Sequence, residues 1–260
     1  MKQYRGYLID LDGTVYAGTK KIPAAKRFIE RLQQKQIPFL FVTNNSTQLP
    51  EAVATNLANN HDIYVNAQNV YTSGMATVDY LNQETKDWPA EDKTVLVVGE
   101  YGLKQVILQS GYTLAIDNPA FTVVGLDSDL TYEKLTQAVL AIRNGSRFVG
   151  TNPDTNIPKE RGLLPGAGAV VDFVRYATQV EPVMIGKPQA QIINTALRRI
   201  NLPATDVVMV GDNYNTDIKA GINAQVDTLL VYTGVSTPEL VAKEAIQPTN
   251  FINSLDEWEV

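Results

Sequence analysis

Residues 7–14 read Tyr-Leu-Ile-Asp-Leu-Asp-Gly-Thr, and the rest of the chain is organised around this stretch. Its apolar first half is typical of a strand that is buried on both faces. Asp10 interrupts the apolar run, Asp12 follows two residues later, and Gly13 indicates a sharp turn. Residues two apart in a strand point the same way, so the two carboxylates converge if the strand persists to Asp12. Taken alone, the stretch fits a simple strand with an Asp-Gly turn equally well.

The composition is that of an ordinary globular chain. Its 260 residues are 44% hydrophobic and 19% charged, which suits one large domain or two moderate ones. The net charge of −6 comes without a basic block, so we expect no nucleic-acid partner and no binding to anionic membranes. The absence of cysteine excludes disulfides, thiolate metal sites and a cysteine nucleophile.

The first residues run directly into the predicted strand and leave no room for a signal peptide. No apolar run approaches the roughly 20 residues that span a bilayer. We therefore expect a cytoplasmic protein without a membrane segment.

Strand and helix patterns alternate along most of the chain. Apolar runs at residues 39–42, 94–98 and 207–210 are typical of buried strands, and helix patterns alternate with strand patterns almost throughout. Repeated alternation with short connections predicts an α/β fold with a mostly parallel, doubly wound sheet. A polar stretch at residues 82–92 marks a boundary, after which a second β/α series begins.

Polar side chains follow three of the predicted strands, namely Asp10, Asp12, Thr43, Asn44, Asn45 and Asp212. Ligands of open α/β sheets bind at the carboxyl ends of the strands. Carboxylates gathered there repel one another unless a cation neutralises them. Ligation by a few protein oxygens, with water and substrate phosphate in the other positions, is what Mg²⁺ prefers. The pattern therefore predicts a Mg²⁺ site, and Lys187 can supply a second positive charge.

Four motifs in chain order resemble those of the haloacid dehalogenase (HAD) superfamily. Residues 10–14 are similar to motif I, Thr43 to motif II, Lys187 to motif III and residues 211–217 to motif IV. Four motifs in the right order are specific, whereas Asp-x-Asp-Gly alone would be weak. Further segments narrow the resemblance to subclass IIA, the NagD-type, 4-nitrophenylphosphatase-like branch; they are residues 42–46, 124–127, 151–154, 165–168 and 186–188.

This resemblance implies a role for each motif residue. Asp10 would be the nucleophile that forms an aspartyl-phosphate, and Asp12 would protonate the leaving oxygen and later accept a proton from water. Mg²⁺ would be held by the Asp10 carboxylate, the Asp12 carbonyl oxygen and Asp212. Asp217 would orient metal-bound water or Lys187. The phosphoryl oxygens would be bound by Thr43, Asn44, Asn45 and Lys187.

The spacing between motifs predicts where an extra domain is inserted. Only about thirty residues separate Asp12 from Thr43, which is enough for one β–α–β unit. More than half of the chain lies between Thr43 and Lys187. We predict a catalytic core of residues 1–80 and 180–260, with residues 81–179 as an inserted α/β domain that resembles the family's C2-type cap.

A cap of this kind excludes water and selects substrates. Asn156 and Ile157 are the residues of the cap expected to touch the leaving group. The resemblance also implies a homodimer formed through the cap.

The function predicted on these grounds is a Mg²⁺-dependent phosphomonoester hydrolase. Its substrates would be small phosphorylated metabolites, either nucleoside monophosphates or sugar phosphates. Transfer of the phosphoryl group to an acceptor other than water stays open, because the same intermediate serves both reactions. A non-catalytic phosphometabolite-binding protein is a third alternative, although a pure binder needs no nucleophile.

Each of these residues, considered alone, also has an ordinary structural interpretation. Taken alone, Asp212 and Asp217 would be a helix N-cap and a first-turn acid. Lys187 alone would be a solvated lysine. His61 lies in a polar, Asn-rich stretch and is expected at the surface.

Overall fold

The computed structural model describes residues 2–159 and 161–260. The strands are β1 (Gly6–Ile9), β2 (Tyr16–Ala17), β3 (Lys20–Lys21), β4 (Phe39–Thr43), β5 (Val70–Thr72), β6 (Thr94–Val98), β7 (Thr113–Leu114), β8 (Phe121–Val124), β9 (Arg147–Gly150), β10 (Asn156–Lys159), β11 (Gly162–Pro165), β12 (Val183–Met184), β13 (Val207–Gly211), β14 (Asp227–Val231) and β15 (Asn250–Ile252). The α-helices are α1 (Pro23–Gln34), α2 (Pro50–His61), α3 (Ser73–Glu84), α4 (Tyr101–Gln109), α5 (Tyr132–Arg143), α6 (Ala167–Thr178), α7 (Ala190–Ile200), α8 (Lys219–Asn223) and α9 (Pro238–Val241). In the described ranges, none of these helices has the length and apolar character needed to cross a membrane.

The chain folds into two compact units. The first unit comprises Met1–Thr43, Pro50–Tyr71 and Lys187–Val260, and the second comprises Asn44–Leu49 and Thr72–Gly186. These divisions differ from the predicted boundaries at residues 80 and 180. The reason is packing, since α3 contacts α4 and β12 pairs with β9, which places both elements in the second unit.

The sheet of the first unit places the ends of its strands along one edge. Over the described residues it has six strands in the order β15-β14-β13-β1-β4-β5. β1 pairs in parallel with both β13 and β4, so that Ile9 lies beside Val210 and Phe41. Every residue of β1, β4 and β13 is buried, as expected for strands covered on both faces.

Helices cover both faces of this sheet. Phe28 and Leu32 of α1 belong to one apolar core with Tyr7 and Ile9 of β1. Side chains alternate across a strand, so Leu8 faces the opposite side, where α7 contacts β1 and β4. The doubly wound α/β fold predicted from the sequence is therefore confirmed.

The second unit has its own parallel sheet and its own core. Among the described residues this sheet has five strands in the order β12-β9-β8-β6-β7. Helices α5 and α6 contribute buried side chains such as Ala138 and Val174 to a core that includes Val98 and Val124. Strands β10 and β11 form a separate antiparallel hairpin. This unit is the inserted α/β domain.

Candidate active site

Three buried carboxylates meet at the carboxyl edge of the first unit's sheet. Asp10 directly follows β1, and Asp212 directly follows the neighbouring strand β13. Because these strands are parallel and in register, their ends bring the two residues side by side. Asp217 completes the group, and one oxygen of each carboxylate lies within 4.8 Å of the others. We refer to Asp10, Asp212 and Asp217 as the acidic triad.

Lys187 is the cation that contacts the acidic triad. Its side chain is only 1% exposed, and its Nζ donates hydrogen bonds to Asp10 Oδ1 and to the carbonyl oxygen of Val42, the latter at 2.8 Å. The same Nζ lies 2.8 Å from Asp217 Oδ1. Burial alone would lower the pKa of Lys187, but the carboxylates of Asp10 and Asp217 outweigh it and raise that pKa above its ordinary value. Lys187 is therefore charged at the end of β4.

One lysine does not balance three carboxylates. Burial, followed by the charge of Asp217, raises the pKa of Asp10 well above its ordinary value despite the opposing effect of Lys187. The same two causes raise the pKa of Asp212 to about 6, although hydrogen bonds from Val235 and Thr14 oppose them. Excess negative charge in a water-poor site favours either proton uptake or a further cation.

Asp217 is held in place by the turn that follows β13. A π-helical turn, Tyr214–Ile218, begins just after this strand. The backbone N–H of Asn213 donates to Asp217 Oδ2 at 3.0 Å, and the Thr216 hydroxyl donates to Oδ1 at 3.1 Å. A Cβ at Gly211 would lie only 2.2 Å from the Asp217 Cβ, so glycine is required for this close approach. Asp217 also contacts Lys187, and its orienting role stays a prediction.

Asp12 does not belong to the acidic triad. β1 ends at Ile9, so the strand does not persist to Asp12 and the condition for the two carboxylates to converge is not met. The chain turns at Gly13, whose φ is +96°. Asp12 is exposed, and its Oδ1 accepts a hydrogen bond from Gly18 N at 3.0 Å. The Asp12 carboxylate is therefore accessible to solvent.

The hairpin of β2 and β3 follows Asp12 and packs against a buried histidine. The Tyr16 ring stacks on the His61 ring with centroids 4.4 Å apart and planes 14° apart. His61 is buried, so its expected surface position is wrong. The signal was present in the sequence, because Val53, Leu57 and His61 follow one another at four-residue intervals on the buried face of α2.

The remaining predicted residues are divided between the two units. Thr43 ends β4 in the first unit and is buried. Asn44 and Asn45 belong to the second unit, where Asn44 Nδ2 donates to the Asp154 carboxylate at 3.0 and 3.1 Å. Asn45 Oδ1 accepts from the Thr47 backbone and hydroxyl. The phosphate-binding roles of these three residues stay predictions.

Asn156 and Ile157 both lie on β10 in the hairpin of the second unit. Asn156 is exposed and donates to the Thr155 hydroxyl at 3.0 Å, whereas Ile157 is half-buried. Their contact with a leaving group stays a prediction.

Comparison with known proteins identifies the family. Residues 7–113 match the haloacid dehalogenase-like hydrolase family, and residues 184–258 match the HAD-hydrolase-like family. The chain is 48% identical to the 5'-nucleotidase YutF of Bacillus subtilis over 99% of its own length and 98% of that protein. It is 46% identical to the acid sugar phosphatase of Staphylococcus saprophyticus, with 99% and 97% of the two chains covered. The chain belongs to the haloacid dehalogenase-like hydrolases.

Solved structures place this HAD hydrolase in the NagD-type branch. A thermostable NPPase variant from Geobacillus stearothermophilus superposes with a TM-score of 0.92 at 43% identity, covering 100% of this chain and 99% of the other. NagD from E. coli K-12 superposes with a TM-score of 0.91 at 30% identity, covering 99% of each chain. The predicted subclass is therefore confirmed, and the protein is a phosphoric monoester hydrolase.

Sequence reasoning missed the residues that hold Asp212 in this HAD hydrolase. Thr14 Oγ1 donates to Asp212 Oδ1 at 3.1 Å, and Val235 N donates to Oδ2 at 2.7 Å. Residues 233–236 follow β14 at the same edge of the sheet as the acidic triad. Their position after the apolar run at residues 228–231 was a usable signal, but none of these residues has a charged side chain.

Proposed function

We propose that the protein is a Mg²⁺-dependent phosphatase that works through an aspartyl-phosphate on Asp10. The observation that carries this proposal is the buried acidic triad with Lys187 as its single cation among the described residues. An arrangement with excess negative charge is costly in a buried site, and it supports a site built to receive a metal ion and an activated carboxylate together.

The donor atoms available here fit Mg²⁺. Asp10 and Asp212 offer hard carboxylate oxygens. The Asp12 carbonyl oxygen, in the turn between β1 and the β2–β3 hairpin, would be a third ligand. Few protein ligands leave positions for water and phosphate, as Mg²⁺ prefers. When bound, Mg²⁺ would withdraw charge from the phosphoryl oxygens and let a carboxylate approach an anionic phosphate.

The residues of the first unit divide the work of phosphoryl transfer. Asp10, whose Oδ1 faces Lys187, attacks phosphorus with its other carboxylate oxygen, and the bond from phosphorus to the ester oxygen breaks. Asp12 gives its proton to that leaving oxygen. Asp12 then takes a proton from the water that attacks the aspartyl-phosphate, which releases inorganic phosphate and restores Asp10. The exposure of Asp12 supports this exchange of protons.

Lys187 and Asp217 orient the nucleophile. The Lys187 ammonium holds Asp10 in one rotamer and places positive charge near the transferred phosphoryl group. Asp217 fixes Lys187 from its other side. Thr43, Asn44 and Asn45 would supply the further hydrogen bonds to the phosphoryl oxygens.

The substrates proposed are small phosphorylated metabolites, either nucleoside monophosphates or sugar phosphates. The support is that relatives of nearly full length are named 5'-nucleotidase and acid sugar phosphatase. Asn156 and Ile157 of the second unit would contact the leaving group. A panel of both substrate classes, compared by kcat/KM, would separate them.

The proposed activity is tested with 4-nitrophenyl phosphate. Purified protein should release phosphate with Mg²⁺, stop on addition of EDTA and recover with added Mg²⁺. Asp10→Asn should lower kcat on the order of 10⁴-fold or more. The matched control is Asp206→Asn, because Asp206 lies at the amino end of β13, away from the acidic triad, and pairs with Arg5. Near-native turnover by Asp10→Asn would show that another residue is the nucleophile.

The aspartyl-phosphate can be observed directly with Asp12→Asn. Because 4-nitrophenolate leaves without needing a proton, this variant should still form the intermediate but hydrolyse it slowly. Rapid acid quenching followed by intact-mass measurement should then show one added phosphoryl group, which Asp10→Asn removes. Adding glycerol to the wild-type reaction distinguishes hydrolysis from transfer, because transfer would yield glycerol phosphate.

The homodimer implied by the family resemblance is proposed on a separate observation. Helices α5 and α6 of the second unit contact each other and expose Tyr132, Leu140, Phe173 and Tyr176. Sedimentation at twice the chain mass of 28.6 kDa would support a dimer. Sedimentation at the chain mass over the micromolar range would contradict it.

A further inference from the structure

A loop without charged side chains holds the Asp212 carboxylate. We name residues 233–236, which read Thr-Gly-Val-Ser and follow β14, the clamp loop. Val235 N donates to Asp212 Oδ2 at 2.7 Å, and Ser236 N donates to the Asp212 carbonyl oxygen at 3.1 Å. The clamp loop therefore forms hydrogen bonds with both the side chain and the backbone of Asp212.

The same loop holds the turn that follows Asp12. Thr233 Oγ1 donates to the carbonyl oxygen of Gly13 at 2.6 Å. The carbonyl oxygen expected to face the metal is that of Asp12, one residue before the Gly13 carbonyl that Thr233 contacts. One hydroxyl thus ties the turn after β1 to the end of β14, across 220 residues of sequence.

Two glycines close around the Asp212 carboxylate. A Cβ at Gly234 would lie 1.9 Å from Asp212 Oδ2, and a Cβ at Gly13 would lie 2.3 Å from the same atom. Thr14 Oγ1 donates to the other oxygen, Oδ1, at 3.1 Å. These contacts leave the carboxylate little freedom to rotate, so its orientation is fixed before any ligand arrives.

We propose that Thr233 and Gly234 are positioning residues that pre-set Asp212 and the Asp12–Gly13 peptide for binding Mg²⁺. The inference rests on the proposed function, since the metal is the one proposed there. Neither residue would touch the metal or the substrate. Partners that orient metal ligands without binding the metal typically change metal affinity 10- to 100-fold when they are removed.

The test is the affinity of the full-length protein for Mg²⁺ alone, measured by titration calorimetry without substrate. Thr233→Val keeps the shape of the side chain and removes the hydroxyl, so we expect a dissociation constant about tenfold higher. Thr233→Ser restores the hydroxyl and should return the constant to within about twofold of wild type. Gly234→Ala should weaken Mg²⁺ binding more than Thr233→Val does.

The matched control is Thr55→Val. The Thr55 hydroxyl also donates to a backbone carbonyl, that of Glu51 at 2.8 Å, but it does so on the exposed side of α2. Its Mg²⁺ dissociation constant should equal that of wild type. Melting temperatures in EDTA show whether each variant is folded, and Thr233→Val keeps the test valid if Gly234→Ala does not fold.

A structural role alone predicts a different result from positioning. If Thr233→Val lowers the melting temperature in EDTA but leaves the Mg²⁺ dissociation constant unchanged, the inference is overturned while the proposed function stands. If wild-type protein binds no Mg²⁺, both fail together. The titration of the wild type therefore distinguishes the two failures.

Discussion

Two lysines of this hydrolase each bridge aspartates, and they differ mainly in their access to water. In the first unit, Lys187 contacts Asp10 and Asp217, and its side chain is 1% exposed. In the second unit, Lys134 contacts the buried Asp127 at 2.9 Å and a neighbouring exposed carboxylate, and its side chain is 29% exposed. The two clusters contain the same kinds of charged group in two different environments.

The difference indicates that burial, rather than composition, decides whether the charges of a cluster are left uncompensated. Around Lys134, water can solvate the second carboxylate, that of Asp129, which is 95% exposed. Around Lys187, a third buried carboxylate is added and little water can enter. The uncompensated charge then raises the pKa of Asp10 and Asp212 and favours binding of a cation.

The largest expected difference between the clusters comes from removing each lysine. Lys187→Met leaves three buried carboxylates without a cation, so we expect a loss of about 3–5 kcal/mol in the free energy of unfolding and a fall in kcat on the order of 10²–10³-fold. Lys134→Met should cost about 1 kcal/mol or less. Urea unfolding and 4-nitrophenyl phosphate turnover measure both effects. Equal losses of unfolding free energy and of kcat in the two variants would show that burial does not distinguish the two clusters.

Added Mg²⁺ should distinguish the clusters next most strongly. At a concentration of 100 times the dissociation constant, Mg²⁺ should stabilise the wild type by about 2.7 kcal/mol, which corresponds to a rise of about 5–10 °C in Tm. Asp212→Asn should abolish this rise, and Asp127→Asn should leave it intact. Calorimetric scans with Mg²⁺ and with EDTA provide the comparison. A rise that is lost in Asp127→Asn instead would place the metal in the second unit.

The pH dependence of Mg²⁺ binding provides a third, smaller test. Burial raises the pKa of Asp212 from its ordinary value of 3.8 to about 6, so protons compete with the metal below that pH. Mg²⁺ affinity should fall by up to about tenfold per pH unit as the pH drops below 6.

Without metal, the folded state binds protons more readily than the unfolded state between about pH 4 and pH 6. The contribution of Asp212 to the stability of the metal-free protein therefore decreases as the pH rises through this window. Mg²⁺ should remove this decrease, which urea unfolding at pH 4.5 and pH 6.5 can check.

The smallest expected effect concerns His61, which is buried but does not lie between two aspartates as the two lysines do. Burial, together with the nearby charge of Lys21, lowers the pKa of His61, although Asp62 and Asp12 oppose them. The unfolded chain then takes up a proton more readily, so the His61 contribution to stability is present above about pH 6.5 and is lost as the pH falls through its folded pKa.

His61→Leu should flatten the dependence of the unfolding free energy on pH between 7.5 and 5.5, by less than the effect of Lys187→Met. The difference between the two proteins reports on His61, which is the only histidine in the sequence, because Asp212 titrates in both. A pH dependence equal to that of the wild type would contradict the contribution assigned to His61.

Much of the first unit could be predicted from the sequence because its strands are continuous apolar runs. Asp10 and Asp212 follow such runs directly, so parallel pairing was enough to predict that they meet. Lys187 was identified through its motif, since neither its spacing nor its neighbours indicate that it is buried.

The features that the sequence did not predict depend on contacts distant in sequence or on the residue at which a strand ends. β1 ends at Ile9, and apolar character alone could not predict that end. The position of α3 depends on packing against α4, which no local pattern reveals. The burial of His61 was not predicted because its neighbours in the sequence are polar, although it lies on the buried face of α2. The clamp loop acts through backbone groups and one hydroxyl, which composition does not single out.

The pairing of β1 with β13 also constrains the order in which the protein can fold during synthesis. Gly6 is paired with Val207, so a ribosome has made about four-fifths of the chain before β1 meets this neighbour. Most of the second unit, Thr72–Gly186, is continuous and is complete by then. We therefore expect the inserted domain to fold first on the nascent chain, while the residues of the catalytic centre stay apart until β13 emerges. Chains released early would contain a folded insert without activity.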